Sequence, residues 1–157
     1  MALRHIVKKD DEILAKKCRQ VVQFDDRLAE LLDDMTDTMR DAQGVGIAAP
    51  QVGVLRRLCI IEPEEFQVTE MVNPEIVEAE GEQEGYEGCL SVPGYIGCVT
   101  RPKKVKIRFQ DRYGKEHTCE LEGFAAVAAC HELDHLDGIL YTEKARDIHR
   151  LEPQEDE

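Results

Sequence analysis

The amino-acid sequence predicts an α+β fold, with small antiparallel or mixed β-sheets around a central buried helix and a further helix near the N-terminus. Three observations predict this class. Apolar residues recur at steps of three and four early in the chain, the middle is rich in β-branched residues, and a second helical pattern follows with an almost unbroken apolar start. A helix, then a run of strands, then a buried helix is typical of α+β proteins.

The first helix is predicted from about Asp25 to Asp41. Asp25 and Asp26 lie where a helix cap and first-turn acidic residues belong. The apolar residues of this segment form one stripe, assigned to the core: Phe24, Leu28, Leu31, Leu32, Met35, Met39 and Ala42.

The segment GVGIAAPQVG, residues 44–53, is predicted to be a shaped loop. Its three glycines and one proline in ten residues preclude a regular helix. It has no Gly-Lys-Ser/Thr, and it contains no G-x-G-x-x-G between a strand and a helix, so a phosphate-binding loop is not favoured.

Strands are predicted at 55–62, 69–81 and 103–111, and TCELEG is predicted to return after the turn signal in DRYGKEH. The third of these segments has the alternation of a half-buried strand. Its apolar residues Val105, Ile107 and Phe109 alternate with Lys104, Lys106 and Arg108.

The second helix is predicted to begin near Gly123 and to carry FAAVAACHELDHLDG. Its stretch from Phe124 to Ala129 is apolar on nearly every side, which indicates a helix buried in the domain centre. Gly138 lies where a helix stop belongs.

Length and charge limit the class of protein. The 157 residues fit one domain, which we assign to residues 1–150, followed by a short acidic tail at 151–157. The formal net charge of −13 argues against a nucleic-acid partner and against docking on an anionic membrane. The sequence contains no signal-peptide pattern and no apolar run approaching the roughly 18 residues that span a bilayer, so a cytoplasmic location is expected.

The motif HELDH, residues 131–135, predicts a metal site. On a helix, residues four apart share one face, so His131 and His135 can bind one ion. Glu132 lies beside the first histidine, within reach of a water molecule that such an ion would activate for attack on a carbonyl group.

The third ligand is less clear from the residues alone. Downstream, Glu143 and His149 lie in a charged stretch that is typical of solvated surface. Upstream, Cys89 in YEGCLSVPG could be a thiolate ligand or simply a buried residue. The six cysteines form no C-x-x-C pair, so a disulfide framework is not predicted.

Three motifs in this order resemble those of the peptide deformylases: GVGIAAPQ at 44–51, EGCLS at 87–91 and HELDH at 131–135. The resemblance extends from near the N-terminus to about Tyr141. It implies metal-dependent hydrolysis of the N-formyl group from the formylmethionine of nascent polypeptides, with release of formate. It also implies that Cys89 joins His131 and His135 as metal ligands.

The resemblance implies roles for further residues. Glu132 is expected to be the general base, and the Gln51 side chain and the Leu90 backbone N–H are expected to stabilise the oxyanion. Val45 and Gly46 are expected to bind the substrate backbone. The implied ion in the cell is ferrous iron, with zinc, nickel or cobalt able to take its place.

The sequence departs from the family at two positions. Cys130 precedes His131, where glutamine is usual, and Ile96 stands where many members carry arginine.

Asp134 is expected to anchor Arg101 or a backbone group. The acidic C-terminus is unsuited to RNA, so ribosome docking is not carried over to this chain. A monomer is expected.

Two alternative functions follow from these observations. The first is a related hydrolase with another N-acyl substrate, which the two departures suggest. The second is a metal-binding protein without turnover, although such a protein has no use for a base beside the ion.

Overall fold

The computed structural model describes residues 2–64 and 67–151. The predicted acidic tail at 151–157 therefore lies, apart from Leu151, outside the described residues. Within the described ranges, no helix is both long and apolar enough to cross a membrane.

Two helices and eight strands make up the regular structure of the described residues. The helices are α1 (Asp26–Asp41) and α2 (Phe124–Leu136). The strands are β1 (Gly46–Ala48), β2 (Leu58–Ile61), β3 (Thr69–Glu80), β4 (Gln83–Cys89), β5 (Val92–Arg101), β6 (Lys104–Gln110), β7 (Glu116–Glu122) and β8 (Arg146–Arg150).

The strands form two antiparallel sheets. The larger has the order β1-β2-β3-β6-β7, and the smaller has the order β4-β5-β8. Together with the two helices they confirm the predicted α+β class. The described residues also contain short 3₁₀ turns at Glu12–Ala15, Ala49–Val52 and Tyr141–Glu143.

Helix α1 begins as the sequence predicts. Asp25 is its N-cap, with the Asp25 Oδ1 accepting a hydrogen bond from the Leu28 N–H at 3.1 Å. The apolar stripe packs into a core cluster together with β1, β2 and part of β3. Its members Leu28, Leu31, Leu32, Met35 and Met39 are buried, while Phe24 and Ala42 at the two ends are half-buried.

The three predicted central strands correspond to β2, β3 and β6, and the predicted return strand corresponds to β7. In β6 the alternation is confirmed, because Val105, Ile107 and Phe109 are buried and the intervening basic residues are not. The predicted loop at 44–53 contains a short strand, β1, followed by the 3₁₀ turn that carries Gln51.

Helix α2 packs against β1, β2 and β7, and most of its residues are buried. Phe124 differs from the prediction of a fully buried start, because it is exposed at the first turn of the helix. Gly138 follows the helix with φ +76°, a left-handed conformation that glycine adopts without strain. The motif histidines therefore lie on a helix that is fixed on several sides.

Candidate metal centre

Helix α2 and strand β4 together bring three metal-binding side chains to one point. His131 and His135 lie one turn apart on α2, and Cys89 ends β4. One ligand atom from each residue lies within 4.8 Å of the other two. The Cys89 Sγ is 3.3 Å from the His135 Nε2.

These distances and donor types fit a single transition-metal ion. With metal–ligand bonds near 2.0–2.3 Å, tetrahedral ligand atoms lie about 3.5 Å apart. A thiolate with two imidazoles suits zinc or ferrous iron better than calcium or magnesium, which prefer oxygen ligands. The predicted set of Cys89, His131 and His135 is therefore assembled in the fold.

A buried ion pair fixes the orientation of His131. The His131 Nδ1 donates a hydrogen bond to the Glu87 Oε1 at 2.9 Å, and Arg101 donates two hydrogen bonds to the Glu87 carboxylate, each 2.9 Å long. With Nδ1 engaged in this way, Nε2 is the nitrogen left to bind a metal. Asp134 accepts from the Arg101 Nη1 at 2.6 Å, which confirms the predicted anchor.

The electrostatics of this group follow from burial and from neighbouring charge. Burial by itself raises the pKa of Glu87, but hydrogen bonds from His131 and Arg101 outweigh it, so the net pKa is lowered. Burial also lowers the pKa of His135, and the positive charges of His131 and Arg101 lower it further, to about 3. His135 is therefore neutral, the form in which imidazole binds metal ions.

The pKa of His131 moves in the opposite direction. Burial by itself lowers it, but the Glu132 charge and the contacts with Cys89 and Glu87 raise it to about 10. The two imidazole rings, whose centroids are 5.1 Å apart, thus lie in different electrostatic surroundings. A metal ion that binds the His131 Nε2 would displace the proton from this nitrogen.

Glu132 is buried beside the ligands. Burial raises its pKa to about 7, which is close to the value that suits a general base at neutral pH. Its Oε1 has no hydrogen-bond partner among the residues that the structure describes. A methyl group added at Gly46 would overlap the Glu132 Oε2, so the absence of a side chain at Gly46 makes room for this carboxylate.

Gln51 is held by both ends of its amide. Its Oε1 accepts from the Ala48 N–H at 2.9 Å, and its Nε2 donates to the Ser91 Oγ at 3.2 Å. The Nε2 also lies 3.5 Å from the Cys89 Sγ. The amide donor thus lies beside the metal-binding group.

These side chains face a cleft of about 550 Å³ that is open to solvent. Leu90, Val45 and Gly46 line it, so all the predicted site residues except His135 border this cavity. His135 is buried behind them. Ile96 and Phe124 also line the cleft.

Cys130 does not reach the metal-binding group. It packs in the core cluster that surrounds α2, and burial raises its pKa to about 11, so the thiol is protonated. Glu143 and His149, weighed above as alternative ligands, lie elsewhere: the Glu143 carboxylate accepts from the Leu140 N–H, and His149 lies against Tyr86.

The contacts of Glu87 with His131 and of Ser91 with Gln51 are not predicted from the sequence. Both belong to the EGCLS motif, and a carboxylate two residues before a candidate ligand is a signal for a group that orients a histidine. The spacing alone does not reveal which histidine Glu87 contacts, because the contact spans β4 and α2.

A helix-borne His-Glu-x-x-His motif, a cysteine that completes the ligand set and a buried carboxylate at an open cleft define a metallohydrolase. The comparisons identify the family. The polypeptide deformylase family model matches residues 3–151. The chain therefore belongs to the peptide deformylase family, and the predicted family is confirmed.

Relatives and solved structures agree over nearly the whole chain. A peptide deformylase of Caldicellulosiruptor bescii is 56% identical over 144 residues, covering 92% of this chain and 86% of the relative. One of Thermoanaerobacter pseudethanolicus is 50% identical over 157 residues, covering 100% of this chain and 97% of the relative. The crystal structure of a Legionella pneumophila peptide deformylase has a TM-score of 0.89 at 44% identity, covering 93% of this chain and 88% of that one. This protein has peptide deformylase activity, as the motifs predicted.

Proposed function

We propose that this chain removes the formyl group from N-formylated nascent peptides with Cys89, His131 and His135 as the ligands of one divalent ion. Glu132 is the base in this proposal. The observation that carries it is the approach of the three ligand atoms within 4.8 Å beside the buried Glu132 carboxylate.

The ion would activate water and polarise the formyl oxygen as a Lewis acid. Ferrous iron is the proposed ion in the cell, with zinc, nickel or cobalt as replacements. One thiolate and two imidazoles are compatible with each of these metals, so the donor set alone does not select among them.

Glu132 moves the proton in this mechanism. Its carboxylate accepts a proton from the attacking water and delivers it to the amine that leaves as the free N-terminus. Burial supports this role, because a carboxylate with a pKa of about 7 both accepts and returns a proton near neutral pH.

Two donors stabilise the negative charge that develops on the formyl oxygen. The Gln51 Nε2 is one, and the Leu90 backbone N–H is the other. The amide of Gln51 is fixed before substrate arrives, because the Ala48 N–H and Ser91 Oγ hold its two ends. Fixed donors need little reorganisation during the reaction.

Val45 and Gly46 bind the substrate backbone in this proposal. Strand β1 lies at the edge of the larger sheet and pairs with β2 on one side. A peptide that adds along the other side would extend the sheet and bring its N-terminus to the metal-binding group. The close approach of backbone is possible because Gly46 has no side chain.

The remaining expectations concern the setting of the reaction. We expect residues 1–150 to form one catalytic domain that acts as a monomer in the cytoplasm, where formylated chains are made. The net charge of −13 supports a role without nucleic-acid binding.

The test compares formate release from formyl-Met-Ala-Ser with acetate release from acetyl-Met-Ala-Ser, using protein purified without oxygen. We expect turnover of the formyl peptide alone, because the formyl group has a hydrogen atom where the acetyl group has a methyl group and therefore fits a smaller space. Faster release of acetate than of formate would mean that the chain acts on another N-acyl group.

A further inference from the structure

We propose that Tyr86, held at the cleft rim by the C-terminal strand, makes this enzyme select formylated peptides with an apolar side chain in one of the two residues after formylmethionine. The inference rests on the proposed function and deepens it. Tyr86 is the first residue of YEGCLSVPG, but the sequence predicts no role for it, and its position at the rim of the cleft is seen only in the fold.

Tyr86 lies on β4, on the same strand as the ligand Cys89, and lines the cleft that contains Glu132 and Gln51. Its side chain is 56% exposed. An aromatic ring that stays open to solvent beside a peptide-binding cleft offers a large apolar contact area to a substrate side chain.

Strand β8 holds this ring in place. The Tyr86 hydroxyl donates a hydrogen bond to the Asp147 carboxylate, and the His149 ring meets the Tyr86 ring edge-on, with centroids 5.7 Å apart. Because the ring is fixed before binding, a ligand that packs on it loses little further side-chain entropy.

The backbone of β8 is shaped for this contact. The β5–β8 pairing shifts register between Ile96 and Cys98, and Asp147 lies in the irregular segment with φ +53°. Such bulges redirect side chains, and here the redirected side chain is the one that binds the Tyr86 hydroxyl. A left-handed non-glycine residue is uncommon and is kept where its surroundings require it.

Further residues make the rim apolar on the same side. Ile96 and Leu151 line the cleft with Tyr86, and Leu151 is anchored by a 2.7 Å hydrogen bond from its N–H to the Gly94 carbonyl. Ile96 pairs in register with His149, the residue whose ring contacts Tyr86, so its apolar side chain lies near that ring.

The charges nearby indicate which side chains are disfavoured. Glu84 also lines the cleft, and Asp147 lies beside the Tyr86 hydroxyl. Because Glu84 is paired with Arg146 at 2.8 Å, it is the Asp147 carboxylate that a substrate aspartate at this rim would approach, without an apolar contact to gain. Peptides with aspartate are therefore expected to rank below those with serine, and peptides with leucine or phenylalanine to rank above them.

The experiment measures kcat and KM for formyl-Met-X-Ser and formyl-Met-Ala-X, with X as leucine, phenylalanine, serine or aspartate. In one of the two series, kcat/KM for leucine and phenylalanine should exceed that for serine by about 5- to 20-fold, as expected for one buried apolar contact. The difference should lie in KM, because the contact is to a substrate side chain and not to the reacting bond.

Variants connect the preference to Tyr86. Tyr86→Ala should reduce the ratio of kcat/KM for the leucine or phenylalanine peptide to that for the serine peptide to within about twofold of unity. Leu151→Ser should reduce this ratio by a smaller factor. Tyr113→Ala is the matched control, because Tyr113 is 83% exposed and does not line the cleft. This control should keep the full ratio.

The outcomes separate this inference from the proposed function. Equal kcat/KM for all side chains in both series, or a preference that survives Tyr86→Ala and Leu151→Ser, would overturn the inference while leaving deformylation intact. No turnover of any formyl peptide would overturn both.

Discussion

The floor and the rim of the cleft differ in how their charged groups are held. At the floor, Arg101 and Glu87 form an ion pair of 2.9 Å whose side chains are 3% and 6% exposed. At the rim, Arg146 and Glu84 form a pair of 2.8 Å whose side chains are 52% and 64% exposed. The two distances are nearly equal, but the floor pair is buried and the rim pair is exposed to solvent.

We expect this difference to place the chemical step at the buried floor and the choice of peptide at the exposed rim. Buried charges interact strongly and keep one geometry, so the floor can orient His131. Burial at the floor also raises the pKa of Glu132 to about 7. Exposed charges are screened by water and contribute little to stability. In our proposal the rim therefore affects which peptide binds rather than which reaction occurs.

Among variants that keep the three metal ligands, the largest effect is expected for Glu132→Ala. Loss of the base should lower kcat by about 100- to 10,000-fold, while the three ligands still bind the metal. Formate release and metal content, measured on one sample, check this. Glu120→Ala is the matched control, because Glu120 is 58% exposed on β7 and should retain full activity. A Glu132→Ala protein with normal turnover would remove Glu132 from the mechanism.

The next largest effect tests whether the buried ion pair at the floor contributes more to stability than the exposed ion pair at the rim. Arg101→Leu leaves the buried Glu87 carboxylate with its hydrogen bond from His131 but without its arginine partner, so the free energy of unfolding should fall by about 3–5 kcal/mol. Arg146→Leu, the matched change at the rim, should cost about 0–1 kcal/mol. Chemical denaturation of both variants measures the difference. Equal losses would mean that burial does not distinguish the two ion pairs.

Gln51→Ala should lower kcat by about 100- to 1,000-fold, because one oxyanion donor is lost. Ser91→Ala should have a smaller effect, since Gln51 keeps its bond from Ala48 and loses one of its restraints. Steady-state kinetics on formyl-Met-Ala-Ser provide the comparison. A Ser91→Ala variant that is slower than Gln51→Ala would contradict the proposed division of roles.

A fall in kcat at the lower end of the ranges for Glu132 and Gln51 is expected for Gly46→Ala. The new methyl group would overlap the Glu132 carboxylate, which is the end of a flexible side chain and can move aside. The fold should therefore keep its Tm within a few degrees, while kcat falls by about 100-fold through misplacement of the base. Unchanged kcat would show that Glu132 tolerates displacement.

Local patterns accounted for much of this structure. The stripe of α1 and the alternation of β6 depend on neighbours a few residues apart, and both predictions were confirmed. The pairing of His131 with His135 depends on helix geometry and was predictable for the same reason.

Contacts that depend on the packing of separate elements were not predictable in this way. The strand β8 has five exposed residues and no apolar alternation, so its segment was interpreted as solvated surface. Its pairing with β5 and its hold on Tyr86 appear only when both strands meet. The bond from His131 to Glu87 likewise joins residues 44 positions apart.

The most direct test of the account is metal content and formate release for Cys89→Ala beside Cys119→Ala, a half-buried cysteine on β7 outside the metal-binding group. We predict about one metal ion per chain and full turnover for the wild type and Cys119→Ala, with loss of both in Cys89→Ala. Retention of metal and turnover in Cys89→Ala would contradict the central claim that this cysteine completes the site.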